Sequence, residues 1–369
     1  MDTIPDDTLE LILLHLDSQV SLLRAASTCK RWRRVVAGDA FLHRFGSLHK
    51  LPTVAGTYNS SFLRVRPRFV EPSPRNTDVD SVHFSLDFLP DNGITLTRWR
   101  INDSHRTLLL LEREHCNKGI RDFIVCEPLT RRHQIIPPPA MASPSYIRGQ
   151  TFLLGGGSDG MSNFRVLCLV HAGGSSHAFV FCTGASCWRA VNISNHERRY
   201  EFIGFASGSI YWHGGDRTVL ATDQATAQFS SFLLPHVEGW YPFDAISMLK
   251  ITVAVGSDGQ TRIVLGAGTA TLKVLVQAAG GEWALEKSIQ LTAAMLDPPL
   301  LERRWYFVHG VRGVQSTGTV HIRIHTAGGR RKFSIDLETM EVERLPDMDG
   351  AYPTKLPWPP SLHAGNYHA

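Results

Sequence analysis

The sequence predicts an α+β multidomain fold, in which a small N-terminal three-helix domain precedes a mainly antiparallel β domain built as a β-propeller of about six blades. Helical spacing of apolar residues is confined to the first 46 residues, whereas short strand-like runs fill the rest of the chain. A turn motif also recurs along the second part. We therefore expect a helical domain over 1–46, a connecting segment over 47–78 and a propeller-like β domain over 79–369.

The first predicted helix lies in the stretch IPDDTLELILLHL. A proline at its start and two aspartates in its first turn favour a helix N-terminus there. Four apolar residues follow the i, i+3, i+4, i+7 spacing that places side chains on one helix face: Leu9, Ile12, Leu13 and Leu16. We expect this face to be one apolar stripe that continues onto a partner.

Two further helices are predicted before residue 40. The stretch DSQVSLLRAAST forms the second, and its inward residues are Leu22, Leu23 and Ala26. The stretch TCKRWRRVV forms the third, and the residues of its apolar stripe, at i, i+3 and i+7, are Cys29, Trp32 and Val36. Gly38 is predicted to end this helix, and only a short turn is expected over AFLHRF.

Four basic residues surround the tryptophan of the third helix: Lys30, Arg31, Arg33 and Arg34. Basic clusters with an aromatic residue are a known signal of nucleic-acid binding. Here the helical spacing places the basic residues on the flanks and the opposite side from Trp32. Residues 1–50 hold seven Lys and Arg against six Asp and Glu, and the whole chain carries only +4, a weak basic field. We interpret the cluster as a solvated helix face and predict no nucleic-acid partner.

The β domain shows a repeat that defines its architecture. Three segments share an acidic residue, a threonine three positions later, then apolar residues and a proline: VCEPLTRRHQIIP, ATDQATAQFSSFLLP and SIDLETMEVERLP. We interpret each as the tight turn between the two outer strands of a blade, where the acid and the threonine bond to the local backbone. Degenerate copies in the gaps give five units, and strands near residues 54–100 and 350–358 complete a sixth.

No pattern in the β domain marks a catalytic or metal site. The stretch LLGGGSDGMSNF contains G-x-G-x-x-G, but a strand follows it where a dinucleotide-binding loop requires a helix. The stretch HIRIH places its two histidines on one strand face about 13 Å apart, too far to share one metal. Ser175 and Ser176 lie between His171 and His177, and nothing in the sequence marks a base partner. We predict no catalytic residue, no metal and no cofactor.

The composition indicates a globular protein of the cell interior. Hydrophobic residues make up 43% of the chain and charged residues 20%. No run of eighteen apolar residues occurs, so we predict no membrane span. The acidic opening MDTIPDD lacks the positive start of a secretory signal. We therefore expect a cytoplasmic or nuclear location, where the six cysteines are reduced thiols.

The first 45 residues resemble an F-box. The matching elements are Ile4-Pro5-Asp6-Asp7 in place of the usual Leu-Pro-x-Asp/Glu, then Leu9, Ile12-Leu13, Leu16, Leu22-Leu23 and the CKRW signature at Cys29–Trp32. The resemblance continues through RRVV and closes on AFLHRF. More loosely, the motifs PLTRR…PPP and GSIYW in the rest of the chain resemble motifs of the associated domains of large plant F-box families.

This resemblance implies a non-enzymatic substrate-recognition subunit of an SCF-type E3 ubiquitin ligase. An F-box docks on a Skp-type adaptor, which joins a cullin and a RING subunit, while the C-terminal domain selects the target protein. The adaptor-binding residues it implies are Ile4, Pro5, Leu9, Ile12, Leu13, Leu16, Leu22, Leu23, Ala26, Cys29, Trp32 and Val36. A helical piece of about 45 residues is also too small to bury a sufficient core alone, which favours a partner.

Two other interpretations stay open at this point. A propeller hydrolase or lectin with a helical N-terminal cap would place convergent carboxylates in the central channel. A cap packed on its own propeller would need no adaptor. A ligase that carries ubiquitin as a thioester needs an activated cysteine, and no cysteine here has a recognisable partner in sequence. We therefore predict that the chain never carries ubiquitin covalently.

Overall fold

The computed structural model describes most of the helical region and the strands of the β domain. The described residues are 4–17, 19–49, 54–59, 66–70, 84–90, 98–114, 122–139, 149–155, 160–193, 196–241, 250–268, 271–278, 280–291, 305–307, 318–326, 329–345 and 351–355. No helix in these ranges is both long and apolar enough to span a bilayer.

Four helices form the N-terminal region: α1 (Asp6–Leu14), α2 (Gln19–Thr28), α3 (Lys30–Val36) and α4 (Asp39–Leu48). The first three confirm the predicted helices. The expectation of a short turn over AFLHRF was wrong, because Phe41 and Phe45 lie one turn apart on a single helix face and are both buried. Their burial stabilises a full ten-residue helix.

Six antiparallel sheets follow and confirm the predicted propeller. A three-stranded closing blade combines β1 (Val54–Asn59), β2 (Arg68–Val70) and the last strand, β23 (Ala351–Lys355), in the order β2-β1-β23. The other blades each take four consecutive strands. Blade 1 holds β3 (Arg98–His105), β4 (Leu108–Glu114), β5 (Phe123–Glu127) and β6 (Arg132–Ile136); blade 2 holds β7 (Gly149–Leu154), β8 (Arg165–Ala172), β9 (Ser175–Cys182) and β10 (Cys187–Val191).

The remaining three blades repeat this arrangement. Blade 3 holds β11 (Glu201–Ala206), β12 (Ser209–His213), β13 (Thr218–Asp223) and β14 (Phe229–Leu233); blade 4 holds β15 (Ile251–Val255), β16 (Thr261–Ala267), β17 (Thr271–Gln277) and β18 (Trp283–Gln290). Blade 5 holds β19 (Trp305–Phe307), β20 (Thr319–Thr326), β21 (Gly329–Asp336) and β22 (Val342–Leu345). The two strands β1 and β2 thus lie in the segment predicted as a connection.

The recurring motif forms the predicted turn between the two outer strands of a blade. In blade 3, Asp223 Oδ1 accepts hydrogen bonds from the backbone N–H and the hydroxyl of Thr226, both at 2.7 Å. In blade 5, Asp336 Oδ1 accepts from the backbone N–H of Thr339 at 2.8 Å. The residue directly after each threonine adopts a positive φ, such as 61° at Ala227. These bonds reverse the chain locally and confirm the interpretation of the repeat.

The first strand of each four-stranded blade is innermost, as contacts of β3 with β7 and of β11 with β15 show. In the closing blade this place belongs to β23, which contacts β3. Since neighbouring strands within every blade are antiparallel, all six inner strands run in the same direction. Their first residues therefore meet at one end of the central channel, which we call the front mouth.

Apolar clusters fill the seams between consecutive blades. The closing blade and blade 1 share a cluster around Tyr58, Trp99 and Leu109, and similar clusters join blades 1 to 2, 2 to 3, 3 to 4 and 4 to 5. No such cluster joins blade 5 to the closing blade within the residues that the structure describes. The ring is thus held by apolar burial along five seams and differs at the sixth.

Candidate functional site

The structure divides the twelve predicted adaptor-binding positions into an internal core and an exposed set. Five are buried against one another: Leu9, Leu13, Leu22, Ala26 and Val36. Leu16 and Trp32 are half-buried and pack on this cluster. Four are exposed: Ile4, Pro5, Ile12 and Cys29. The side chain of Leu23 lies outside the described residues.

Of the predicted apolar stripe on α1, Ile12 is 48% exposed in the chain without a partner. Leu9 and Leu13 face the other helices, and Leu14 rather than Ile12 completes the buried side. Ile12 and Leu11, which is 52% exposed, lie on the opposite side. Because residues 11–14 read LILL, all apolar, spacing alone did not determine which of them faces inward.

Arg31 fixes the start of α1 against α3. Its Nε donates to Asp6 Oδ1 at 2.8 Å, and its terminal nitrogen donates to the backbone carbonyl of Ile4. The same bond from Arg31 is the main cause that lowers the pKa of Asp6, so this carboxylate is charged at neutral pH. Arg31 thereby holds the exposed Ile4-Pro5 segment in one position.

The other two arginines of α3, Arg33 and Arg34, make longer hydrogen bonds than Arg31 does. Arg34 donates to Asp6 Oδ2 at 3.2 Å, but its side chain is 74% exposed. Arg33 Nε donates to the carbonyl of Ala26 at 3.4 Å. The interpretation of the basic cluster as a solvated face therefore holds for Arg34 and fails for Arg31. Sequence reasoning missed this role because Asp6 is 25 residues away from Arg31 along the chain.

Cys29 is exposed at the N-cap of α3, so its predicted place on the apolar stripe is wrong. Its Sγ accepts a hydrogen bond from the backbone N–H of Trp32 at 3.5 Å. This bond is the main cause that lowers the pKa of the Cys29 thiol. The helix begins one residue later than the spacing suggested, because the residue before a helix adopts extended backbone and caps it.

The pair His171 and Ser176 in blade 2 is the nearest approach to a nucleophile and base. His171 Nδ1 lies 2.8 Å from Ser176 Oγ, but the hydroxyl donates its proton to the carbonyl of Arg198. Ser176 is also 1% exposed, and burial lowers the pKa of His171. A buried hydroxyl whose proton is committed to a carbonyl is a structural bond and is poorly placed for attack on a substrate.

Two other chemical motifs also have structural explanations. The strand β8 follows the glycine-rich stretch, as predicted, and Gly157 itself lies outside the described residues. Cys126 and Cys168 are buried, and their burial raises the pKa of both thiols well above the usual range. No group of three or more metal-ligating side chains occurs in the part of the chain that the structure describes.

Comparisons with known proteins match the helices but not the whole chain. Residues 1–46 match the F-box-like family. No curated protein matches the chain. The F-box-like match therefore covers the helices up to residue 46 and does not extend into the propeller.

Several solved structures show distant likeness to the chain. YCF48 bound to a D1 peptide is 8% identical, covers 68% of each chain and has a TM-score of 0.40. A post-proline cleaving enzyme from Rickettsia typhi is 8% identical over 94% of this chain and 58% of its own, with a TM-score of 0.42. TolB from Acinetobacter baumannii is 11% identical over 67% and 54%, with a TM-score of 0.35. All three scores are below 0.5, so none of these likenesses supports a functional conclusion.

Proposed function

We propose that this chain is a non-catalytic substrate-recognition subunit of an SCF-type ubiquitin ligase. Its F-box-like helices bind a Skp-type adaptor, which brings a cullin and a RING subunit, and its propeller selects the target protein. F-box domains generally bind adaptors of this kind, and the F-box-like match over residues 1–46 is the observation that carries the proposal. The cytoplasm or nucleus is the compartment where such a complex would act.

The distribution of apolar side chains on the helices supports this role. The internal core already buries nine side chains, so the helices hold together through their own packing. Ile4, Leu11 and Ile12 nevertheless remain about half exposed in the folded chain. Apolar side chains that a protein leaves uncovered on one small domain are typical of an interaction surface. We assign adaptor contact to this exposed set, and we assign a supporting role to the buried residues.

Adaptor capture by purified full-length variants tests the proposal. Ile12→Asp should abolish capture by an immobilised Skp-type adaptor, because a carboxylate replaces an apolar contact without entering the internal core. His43→Asp, a change at an exposed position of α4 outside the assigned set, is the matched control and should retain capture. Circular dichroism should show that both variants keep wild-type helix and sheet. Full capture by Ile12→Asp, or no capture by the wild type, would contradict the proposal.

A second pair of variants in the same assay tests the role of Arg31. Arg31→Gln should weaken capture several-fold, since it removes the bonds that position Ile4 and Pro5. Among the described residues, Arg34 bonds only to Asp6. Arg34→Gln removes the same charge from the same helix and should therefore change capture little. Equal effects of the two variants would show that net charge, and not the position of the Ile4-Pro5 segment, governs binding.

A further inference from the structure

The turn between the two outer strands of blade 2 has the backbone of the other blade turns but a different chemistry. Ser186 has a φ of 49°, and its N–H donates to the carbonyl of Cys182 at 2.9 Å. The matching bond in blade 3 runs from Ala227 to Asp223 at 2.8 Å. Cys182 therefore occupies the position of the acidic residue, and Ala185 occupies that of the threonine. Blade 2 thus lacks the bonds between acid and threonine that brace this turn in blades 1, 3 and 5.

A second cysteine lies directly across the ladder from the first. Cys187 on β10 is the register partner of Cys182 on β9. Directly opposed residues of an antiparallel pair have Cα atoms about 4.5–5.5 Å apart and side chains on the same face. Disulfide bonds join residues whose Cα atoms are about 4.4–6.8 Å apart. The backbone of this turn therefore already has the spacing that a disulfide between the two cysteines requires.

The next pair along the ladder identifies the side of the sheet on which the thiols lie. Phe181 and Trp188 are also register partners, and their ring centroids are 5.5 Å apart on the side of blade 1. Because successive side chains alternate between the two faces of a strand, both cysteines lie on the side of blade 3. Cys182 is half-buried there against the apolar cluster of blades 2 and 3, and Cys187 is exposed. One thiol is open to solvent, and the other is held beside it.

The other described cysteines do not share this arrangement. Cys126 is paired with His133 and Cys168 with Phe179, and both thiols are buried. Cys29 lies on the helical domain, at the N-cap of α3. Two sulfur ligands are also fewer than the four of a structural zinc site, and no group of three or more metal-ligating side chains occurs among the described residues. The pairing in blade 2 is therefore suited to oxidation between two thiols.

We propose that Cys182 and Cys187 form a redox modification site, at which hydrogen peroxide converts the two thiols to an intrachain disulfide. The exposed thiolate of Cys187 attacks the peroxide, so that an S–O bond forms, the O–O bond breaks and water leaves. The sulfur of Cys182 then attacks this sulfenic acid. An S–S bond forms, the S–O bond breaks, and the hydroxyl leaves as a second water with the proton of the Cys182 thiol. Peroxide gains the two electrons that the sulfurs lose.

The disulfide joins β9 to β10 at the position where acid and threonine brace the turns of other blades. In the cytoplasm or nucleus, thiol reductants return it to the dithiol, so the modification is transient. Since β9 runs in the same direction as the inner strand β7, the turn lies at the end of blade 2 opposite to the front mouth. The site involves no residue of the N-terminal helices and is independent of the ligase role.

Differential alkylation of the full-length protein tests this site. Reduced protein is treated with hydrogen peroxide, unfolded in iodoacetamide to block the remaining thiols, and then reduced and labelled with N-ethylmaleimide. Trypsin releases residues 166–189 as one peptide, in which Cys168 is an internal reference. Cys182 and Cys187 should carry the maleimide in equal amounts, and Cys168 should carry the first label. Without the reduction step, this peptide should lack two hydrogens, and dithiothreitol given before the block should restore them.

Single variants separate the roles of the two thiols. Cys182→Ser should stop the reaction at a sulfenic acid on Cys187, which dimedone traps. Cys187→Ser should oxidise several-fold more slowly at Cys182, because that thiol is less exposed. Cys29→Ser, at an exposed cysteine of the other domain, is the matched control and should form as much disulfide as the wild type. Where serine disturbs the packing of Cys182, as circular dichroism would show, Cys182→Ala takes its place.

Three results would overturn the proposal. The first is a wild-type peptide that keeps both hydrogens at peroxide concentrations that oxidise Cys29. The second is maleimide on Cys168 in the same amount as on Cys182 and Cys187. The third is a disulfide that links two molecules, seen as a dimer on a non-reducing gel, in place of the intrachain bond.

Discussion

Strands β20 and β21 of blade 5 present an apolar face to blade 4 and a polar face towards the closing blade. On the first face, Ile322 and Phe333 are directly paired and are buried among side chains of blade 4. On the second face, Arg323 pairs with Lys332 and His321 pairs with Ser334. Strand β1 of the closing blade packs Tyr58 on blade 1, whereas Thr57 on its other face pairs with Val70 and Pro353.

This difference shows how the ring is assembled. Seams between consecutive blades gain stability from apolar burial, which scales with the area removed from water. The seam between blade 5 and the closing blade joins the two ends of the propeller, and on the blade 5 side it presents polar and charged side chains. Closure of the ring also depends on the backbone pairing of β1 with β23 inside the closing blade, which joins Val54 to Lys355 and Asn59 to Ala351. We therefore expect the two kinds of seam to respond differently to mutation and to pH.

Removal of the closing strand should have the largest effect. A chain that stops after Gly350 lacks β23 and leaves β1 without its partner on the channel side. It should lose cooperative unfolding and become sensitive to limited proteolysis, because exposed strand edges and an open seam replace the closed ring. A chain that stops after Lys355 keeps β23 and is the control. Similar proteolytic resistance of the two chains would show that closure by β23 is dispensable.

Truncation of a side chain in the apolar seam should have the next largest effect. Ile322 is fully buried between blades 4 and 5, so Ile322→Ala should lower the free energy of unfolding by about 2–5 kcal/mol. Thr57→Ala removes a half-buried side chain from the closing blade and should cost about 1 kcal/mol or less. Urea unfolding measures both values. A larger loss for Thr57→Ala would reverse the ranking of the two seams.

A smaller, pH-dependent effect should come from His321 on the polar face. Burial, and then the nearby charge of Lys332, lower its pKa from 6.5 to about 4. Between these values the unfolded chain binds a proton that the folded chain does not. Stability from the neutral histidine is therefore complete above pH 6.5 and falls as the pH drops towards 4, by at most about 3 kcal/mol.

Unfolding of His321→Gln at several pH values checks this expectation. The variant should lose less stability than the wild type between pH 7 and pH 4, because glutamine does not titrate. His171 and His213 also have lowered pKa values through burial and act in the same direction, so only the difference between proteins is informative. His236→Gln, at an exposed position, should behave like the wild type. An unchanged slope for His321→Gln would refute the role assigned to this histidine.

The repeated turn was predictable because its cause is local. An acidic residue and a threonine three positions later can bond to each other and to the intervening backbone without help from the rest of the protein. The position of Ile12 was not predictable in the same way. Residues 11–14 are all apolar, and only the packing of α1 on α3 and α4 selects Leu9 and Leu13 for the core.

The hydrogen bonds of Arg31, and the bond between Asn102 and Thr151 on neighbouring inner strands, could not be predicted from the sequence. Arg31 meets Asp6, and Asn102 meets Thr151, across separations of 25 and 49 residues. No spacing rule connects such positions, because the chain between them must first fold.

Patterns in the sequence were enough to predict the helical first 46 residues, the recurrent blade turn and hence a ring of about six sheets. These depend on periodicity and local hydrogen bonding, which act over a few residues. Which apolar side chains of α1 remain exposed, and which face of blade 5 is polar, depend on how the folded segments pack. These features depend on distant segments brought together, since burial and charge pairing are set by neighbours in space.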